Sequence, residues 1–286
     1  MPEEPILEFK DVSLRFGESW ALRNISLTLE PGETRIIFGA AGSGKTTLLK
    51  AVVGLVRVDK GSIKLFGQDV TKLSENELFV LRRRAGVLFQ EGGLFDSLTV
   101  GENVEYPLVT QDNLKQVKAA QAGEAQTFDP EKLVRDTLRF VELEQTFDKF
   151  PAEISGGMRR RVGIARAVVT EPLLVLYDSP TAGLDPITAN TIMALLAKER
   201  DVRNSASLVV THRYQDGEIM ADFRYDSEQE ALLSSTKSSP PPKPALTKFM
   251  VMKEGEIVFL GTRPELESSN DEYVKRFVRH EDRHAQ

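Results

Sequence analysis

The chain contains no cysteine, which excludes disulfides, thiolate metal sites and a cysteine nucleophile and permits a reducing compartment. It also lacks an apolar run near the ~18–20 residues that a membrane-spanning helix needs. Its longest apolar runs, such as Leu173–Tyr177, are strand-sized. The opening Met-Pro-Glu-Glu-Pro has neither the basic start nor the apolar stretch of a signal peptide. Work at a membrane would therefore need spanning subunits from elsewhere. Excess positive charge is missing too: the net charge is −6 and the pI about 5.4, against the basic face usual in nucleic-acid binders. The dense basic runs Arg82–Arg84 and Arg159–Arg161 read as solvated helix faces.

What is present is 286 residues with 41% hydrophobic content, enough for one large core or two small ones. Residues 6–38 alternate apolar and polar and predict several short strands. A helix is expected over 44–55 and a strand over Ile63–Phe66. Ser74 with Glu77, and Thr99 with Glu102, have capping-box spacing, and Asp129-Pro130 offers an N-cap followed by proline at the first helical position. Strands at Val87–Phe89, Leu173–Tyr177 and Ser207–Val210 then alternate with helices at 187–200 and 214–221. That order predicts a mostly parallel sheet covered on both faces. Residues 226–246, with Ser234–Ser239 and Pro240-Pro241-Pro242, predict a disordered or extended linker. Two strands around Glu254-Gly255 follow it.

Gly39-Ala40-Ala41-Gly42-Ser43-Gly44-Lys45-Thr46 matches the phosphate-binding P-loop, between an expected strand and an expected helix. Its glycines let backbone N–H groups converge on phosphate oxygens, and the helix adds its positive end. Lys45 is expected at the β- and γ-phosphates and the Thr46 hydroxyl at Mg²⁺, with Thr47 beside it. A chance match in a chain of this length has odds of about one in a hundred. The apolar strand Leu173–Tyr177 ends on Asp178, a carboxylate placed either to hold Mg²⁺ or to cap the next helix.

Ile154-Ser155-Gly156-Gly157-Met158-Arg159 turns these pieces into a resemblance. Alone, Ser-Gly-Gly is more often a helix cap. Just ahead of Leu173–Asp178 it resembles the signature of ABC-family ATPases, a second anion nest of one hydroxyl and glycine amides. Further positions match that family in order: Gln90 as the Q-loop residue, Gly183-Leu184-Asp185-Pro186 as the D-loop, His212 as the switch histidine and Phe16 as the aromatic that stacks on adenine. The segment Phe89–Val104, with Tyr106-Pro107-Leu108 and Asp185-Pro186-Ile187-Thr188, resembles Mla/Mce-type lipid transporter ATPases in particular.

The resemblance implies an α/β fold over residues 1–286: a P-loop NTPase core with a mostly parallel sheet, an antiparallel β subdomain and a helical subdomain near 92–165. It implies ATP and Mg²⁺ as cofactors, with Thr46, Gln90 and Asp178 at the metal. Ser155, Gly156, Gly157 and Asp185 would complete the site across an ATP-sandwiched homodimer. It also implies an integral-membrane permease partner, an Mce-type substrate-binding protein in the complex, no nucleic acid, and a cytoplasmic, peripheral location on the inner face of the membrane. One position departs: Ser179 stands where the family has the glutamate that polarises the attacking water. A serine orients water but cannot accept its proton. The rival readings are a soluble non-transport ABC ATPase and an ATP-binding scaffold with little hydrolysis.

Overall fold

The computed structural model describes residues 4–89, 92–109, 129–229, 231–234 and 246–278. The chain opens with a long hairpin, β1 (Leu7–Phe16) and β2 (Ser19–Leu29), and continues through β3 (Thr34–Gly39) into helix α1 (Lys45–Val52). β4 (Lys60–Leu65) and the short β5 (Gln68–Asp69) return to the hairpin and complete an antiparallel sheet of order β2-β1-β4-β5. Of the short strands expected over 6–38, β3 is one, and the rest of the segment forms two long strands. Bulges near Asp11 and Asn24, both at positive φ, keep their apolar residues aimed at one face.

Helix α2 (Glu75–Arg82) starts on the expected box: Ser74 N–H donates to Glu77 Oε2 at 2.8 Å, and Glu77 N–H returns to Ser74 Oγ at 3.5 Å. After β6 (Ala85–Leu88) comes helix α3, residues 100–109. Its start is the Thr99–Glu102 box, with bonds of 2.7 and 3.2 Å. Asp129 caps α4 (Pro130–Phe140), accepting the Lys132 amide at 3.1 Å. Helix α5 (Gly156–Val168), β7 (Leu174–Asp178), α6 (Pro186–Arg203), β8 (Ala206–Val210) and α7 (Tyr214–Asp222) follow. Residues 110–128, in the expected helical region, lie outside the described residues.

The expected linker needs correcting at its start. Phe223–Asp226 is strand β9 and Ala231–Ser234 is β10, paired antiparallel as a small hairpin. The Asp226 carboxylate accepts the Glu228 and Gln229 amides in the turn, and Tyr225 N–H donates to Asp201 on α6 at 2.8 Å. Phe223 and Tyr225 are strand formers, Leu232 and Leu233 give the partner strand its apolar side chains, and the proline run sits further on. Residues 235–245 lie outside the described residues. The chain resumes as β11 (Thr247–Lys253) and β12 (Glu256–Gly261), then α8 (Arg263–Glu267) and α9 (Glu272–Val278).

The central sheet has the order β12-β11-β3-β8-β7-β6; β11, β3, β8, β7 and β6 are parallel, and β12 is an antiparallel edge. Strand alternation divides its side chains between two cores. Ile36, Phe38, Val175, Tyr177, Val209 and Phe249 face one, with α5 and α6 packed on it. Ile37, Leu174, Leu176, Leu208, Val210 and Met250 face the other, which α1 and the antiparallel sheet share. Both faces are covered, so the strands read as continuous apolar runs. β3, β7 and β8 all end at the same edge, where loops carry the chemistry-bearing residues. Among the described residues no helix is long and apolar enough to cross a membrane.

Candidate functional site

The loop after β3 is held by close backbone approach. A Cβ at Gly44 would overlap the Ala21 carbonyl oxygen, and Gly44 sits at φ 101, a conformation glycine adopts without penalty. As the N-cap of α1, Gly44 offers no capping side chain, so the first-turn amides of α1 are left to a ligand. Lys45 folds back over the loop: its Nζ donates to Gly39 O at 2.8 Å, Ala40 O at 2.8 Å and Ser43 Oγ at 3.2 Å. Burial lowers the Lys45 pKa, and the nearby Asp178 carboxylate opposes that shift. A cavity of about 310 Å³ is lined by Phe16, Trp20, Gly42, Lys45, Thr46 and Thr47 among others. The structure thus brings the predicted aromatic to the predicted loop. Phe16 is 58% exposed, while the Arg15 guanidinium lies 3.7 Å over the Trp20 ring. The freer face is that of Phe16.

Asp178, at the end of β7, is buried. Ser179 follows in the left-handed region at φ 55; its N–H donates to Val210 O at 2.9 Å and its Oγ to Asp178 Oδ1 at 3.3 Å. The hydroxyl proton is therefore directed at Asp178, and the Oγ lone pairs remain to accept. His212 follows β8. Partial burial and the Lys45 charge hold its imidazole below the ordinary pKa, with Asp178 pulling the other way. The ring is neutral at pH 7 and can donate or accept a hydrogen bond. Thr46 Oγ and the Asp178 carboxylate are hard oxygen donors, the kind that hold Mg²⁺ together with phosphate oxygens. Gln90 lies outside the described residues.

Sequence reasoning missed the residue that ties these loops together. Asp216, on α7 and fully buried, accepts the Thr181 hydroxyl at 2.6 Å and the Thr211 hydroxyl, and faces Arg213 at 3.2 Å. Thr211 Oγ in turn accepts the Arg213 N–H at 3.1 Å, which shapes the turn at His212. Burial raises the Asp216 pKa, against the two hydroxyls and Arg213. Its spacing from His212 resembles an ordinary helical acid, so only the fold reveals it.

Ser155 caps α5, its Oγ accepting the Met158 amide at 3.2 Å. Asp185 caps α6, accepting the Thr188 amide at 3.0 Å; bonds from Thr188 hold its pKa low. The two caps meet: Ser155, Gly156, Gly157, Asp185 and Thr188 line one cavity of about 420 Å³, and Arg160 donates to Ala182 O at 3.1 Å behind it. This cavity shares no described residue with the Lys45 cavity. A third, of about 430 Å³, is a groove with Phe79, Arg83, Phe89, Phe95, Tyr106 and Arg166 in its lining. Phe95 and Tyr106 pack at 4.7 Å in it, whereas Leu94 packs on the interior core.

A phosphate loop between strand and helix, a carboxylate closing the strand one removed from it in the sheet and a capped Ser-Gly-Gly turn define an ATP-binding-cassette fold, and the chain belongs to the ABC transporter family, whose model matches residues 22–182. It is 40% identical over 212 residues to the methionine import ATP-binding protein MetN of Rhizobium johnstonii, covering 74% of this chain and 55% of that one. It is 34% identical over 224 residues to the intermembrane phospholipid transport ATP-binding protein MlaF of Haemophilus influenzae, covering 77% and 79%. It is 35% identical to the probable ribonucleotide transport ATP-binding protein Mkl of Mycobacterium leprae, covering 74% and 58%. The chain thus spans little more than half the length of two of these relatives, and the three are named for three different cargoes. Among solved structures it is similar to the dimeric cassette MJ0796 bound to ADP and Pi (TM-score 0.71, 27% identity, 90% of this chain and 98% of that one). It is also similar to cbiO1 of Clostridium perfringens (TM-score 0.73, 25% identity, 96% and 95%).

Proposed function

We propose that the chain is the ATP-binding and hydrolysing subunit of an ABC transporter, working as a homodimer that sandwiches two ATP molecules and drives a membrane permease. The observation that carries this is the separation of the Lys45 cavity from the Ser155–Asp185 cavity within one chain. Each is half of a nucleotide site, and a head-to-tail second copy joins them. Phe16 stacks the adenine. The loop amides and Lys45 take the phosphates; Thr46, Asp178 and Gln90 hold Mg²⁺, which supplies charge neutralisation on the phosphate oxygens. His212 and the partner copy's signature turn face the terminal phosphate. The Ser179 lone pairs hold the attacking water without removing its proton, so turnover is slow and the closed dimer long-lived. Closure moves the permease by binding ATP more tightly in one state.

The aromatic and cationic groove beside residues 92–106 is the docking surface for a short cytoplasmic permease helix, which places the chain on the inner face of the membrane. Phospholipid is the proposed cargo, supported by the 79% coverage of the MlaF relative and by the segment after β6; an Mce-type protein would complete such a complex. Light scattering with Mg–ATP tests the core of this reading. The full chain is expected to dimerise with ATP. Gly156→Asp, where an added Cβ would meet only the Arg159 guanidinium at 3.8 Å, should still bind ATP yet stay monomeric. A wild-type monomer saturated with ATP, or an unaltered dimer in the variant, overturns the sandwich. Turnover by the chain purified with its permease, measured in phospholipid vesicles and with L-methionine, decides the cargo.

A further inference from the structure

Helix α9, at the far end of the chain, grips the phosphate loop. It is short but firmly started: Asp271 Oδ1 accepts the Tyr273 amide at 2.7 Å and the Val274 amide at 3.2 Å, and Val274 is fully buried. Tyr273 and Phe277, one turn apart, share a face. The Phe277 ring stacks on Phe38, the residue just before Gly39, with centroids 6.1 Å apart and planes 11° apart; Tyr273 meets Phe277 edge-on at 5.3 Å. The Tyr273 hydroxyl then reaches the loop itself. It accepts the Ala40 N–H at 3.1 Å and donates to Met252 O at 3.2 Å. A phenol has one proton to give and lone pairs to receive, so the two bonds are complementary and together satisfy it.

Ala40 is held from both sides. Its N–H goes to Tyr273 and its carbonyl accepts Lys45 Nζ at 2.8 Å. The orientation of this one residue therefore links the tail of the chain to the ammonium group that meets the phosphates. The neighbouring hairpin turn helps, with Gly255 N–H donating to Ser43 O at 3.1 Å. We propose that Tyr273 is a positioning residue for the phosphate loop: its hydroxyl fixes Ala40 and through it Lys45, so that α9 sets the affinity of the site for ATP. The proposal rests on reading residues 39–47 as the ATP-phosphate loop.

Tyr273→Phe keeps the ring and removes only the hydroxyl. In the full chain it should weaken binding of a fluorescent ATP analogue about fivefold, as loss of one ordinary hydrogen bond would. Amide exchange should quicken in peptides covering 39–44 while those covering 272–278 stay as in wild type. Phe277→Leu removes the stacking but keeps the hydroxyl; it should lower the melting temperature more than Tyr273→Phe and the affinity less. Wild-type affinity and wild-type exchange at 39–44 in Tyr273→Phe would overturn the proposal. So would an affinity loss in Phe277→Leu as large as in Tyr273→Phe, since packing alone would then be the agent. If the wild-type chain failed to bind the analogue, the phosphate-loop reading would fall. The exchange measurement needs no nucleotide and would still decide whether Tyr273 holds the loop.

Discussion

The loop after β3 and the loops after β7 and β8 lie at one edge of the parallel sheet, yet they are held by different means. The first is shaped by glycine backbone and by one lysine that bonds carbonyls within six residues of itself. The other two are held at a distance, through Asp216, by the hydroxyls of Thr181 and Thr211. The first matches the family pattern at its P-loop positions. The second departs from it at Ser179. On the function proposed above, the difference makes binding and turnover separable: the groups assigned to phosphate are local, while a hydroxyl stands at the position assigned to the proton acceptor.

The sharpest way to break this contrast is to restore the carboxylate. Ser179 and a glutamate both carry a Cβ, so Ser179→Glu adds no backbone strain at φ 55. General-base help is worth about 10²–10⁴-fold. Single-turnover hydrolysis by the dimer should rise by about 10²-fold with ATP affinity unchanged. Equal rates in the two proteins would mean that another group already serves as the base. The converse change, Lys45→Ala, should weaken ATP binding by roughly 10–100-fold, the range for losing a hydrogen bond to a charged group. Since Lys45 bonds only its own loop and is partly desolvated, the melting temperature without nucleotide should hold. Unchanged affinity in a fluorescence titration would remove Lys45 from the site.

These three loops also mark what the sequence makes legible. Gly39–Thr46 is a contiguous pattern whose chemistry is local, so its strand-to-helix setting could be read directly. The capping boxes at Ser74 and Thr99 were legible for the same reason: both partners lie within one turn. The β9–β10 hairpin is hidden in the sequence because Leu232 and Leu233 run directly into the serine and proline stretch that follows them. Asp216 and Tyr273 depend on contacts between elements far apart in the chain, and no periodicity announces them; of the groove, the 92–106 side is legible and the Phe79, Arg83 and Arg166 side is not.

The groove offers a prediction that leaves all three loops untouched. Phe95 is 41% exposed and packs on Tyr106 rather than in the core. Phe95→Glu should release the chain from membranes severalfold in a flotation assay while ATP binding stays as in wild type. Normal membrane recovery would show that the permease docks elsewhere.

The smallest effect is expected at Asp216, where stability and positioning pull in opposite directions. Burial raises its pKa above the unfolded value. A raised carboxylate pKa means that this group's contribution to stability is fully present below the unfolded pKa and is lost as pH rises through the folded one. At pH 7 to 8 the ionised Asp216 is thus a burden that Asp216→Asn removes. The amide oxygen can still accept the two threonine hydroxyls, and Arg213 keeps Gln215 at 2.8 Å. The variant should melt at or above the wild-type temperature at pH 8. That margin should shrink as the pH falls through the carboxylate range, where the wild-type side chain also becomes neutral. Turnover should nonetheless drop by about threefold at unchanged KM for ATP, because the ion pair that sets the Arg213 side of the His212 turn is gone, a loss within the range for one ordinary hydrogen bond. A melting temperature several degrees lower at pH 8, with full turnover, would instead make Asp216 a purely structural acid and leave the loops after β7 and β8 positioned by their backbone, as the loop after β3 is.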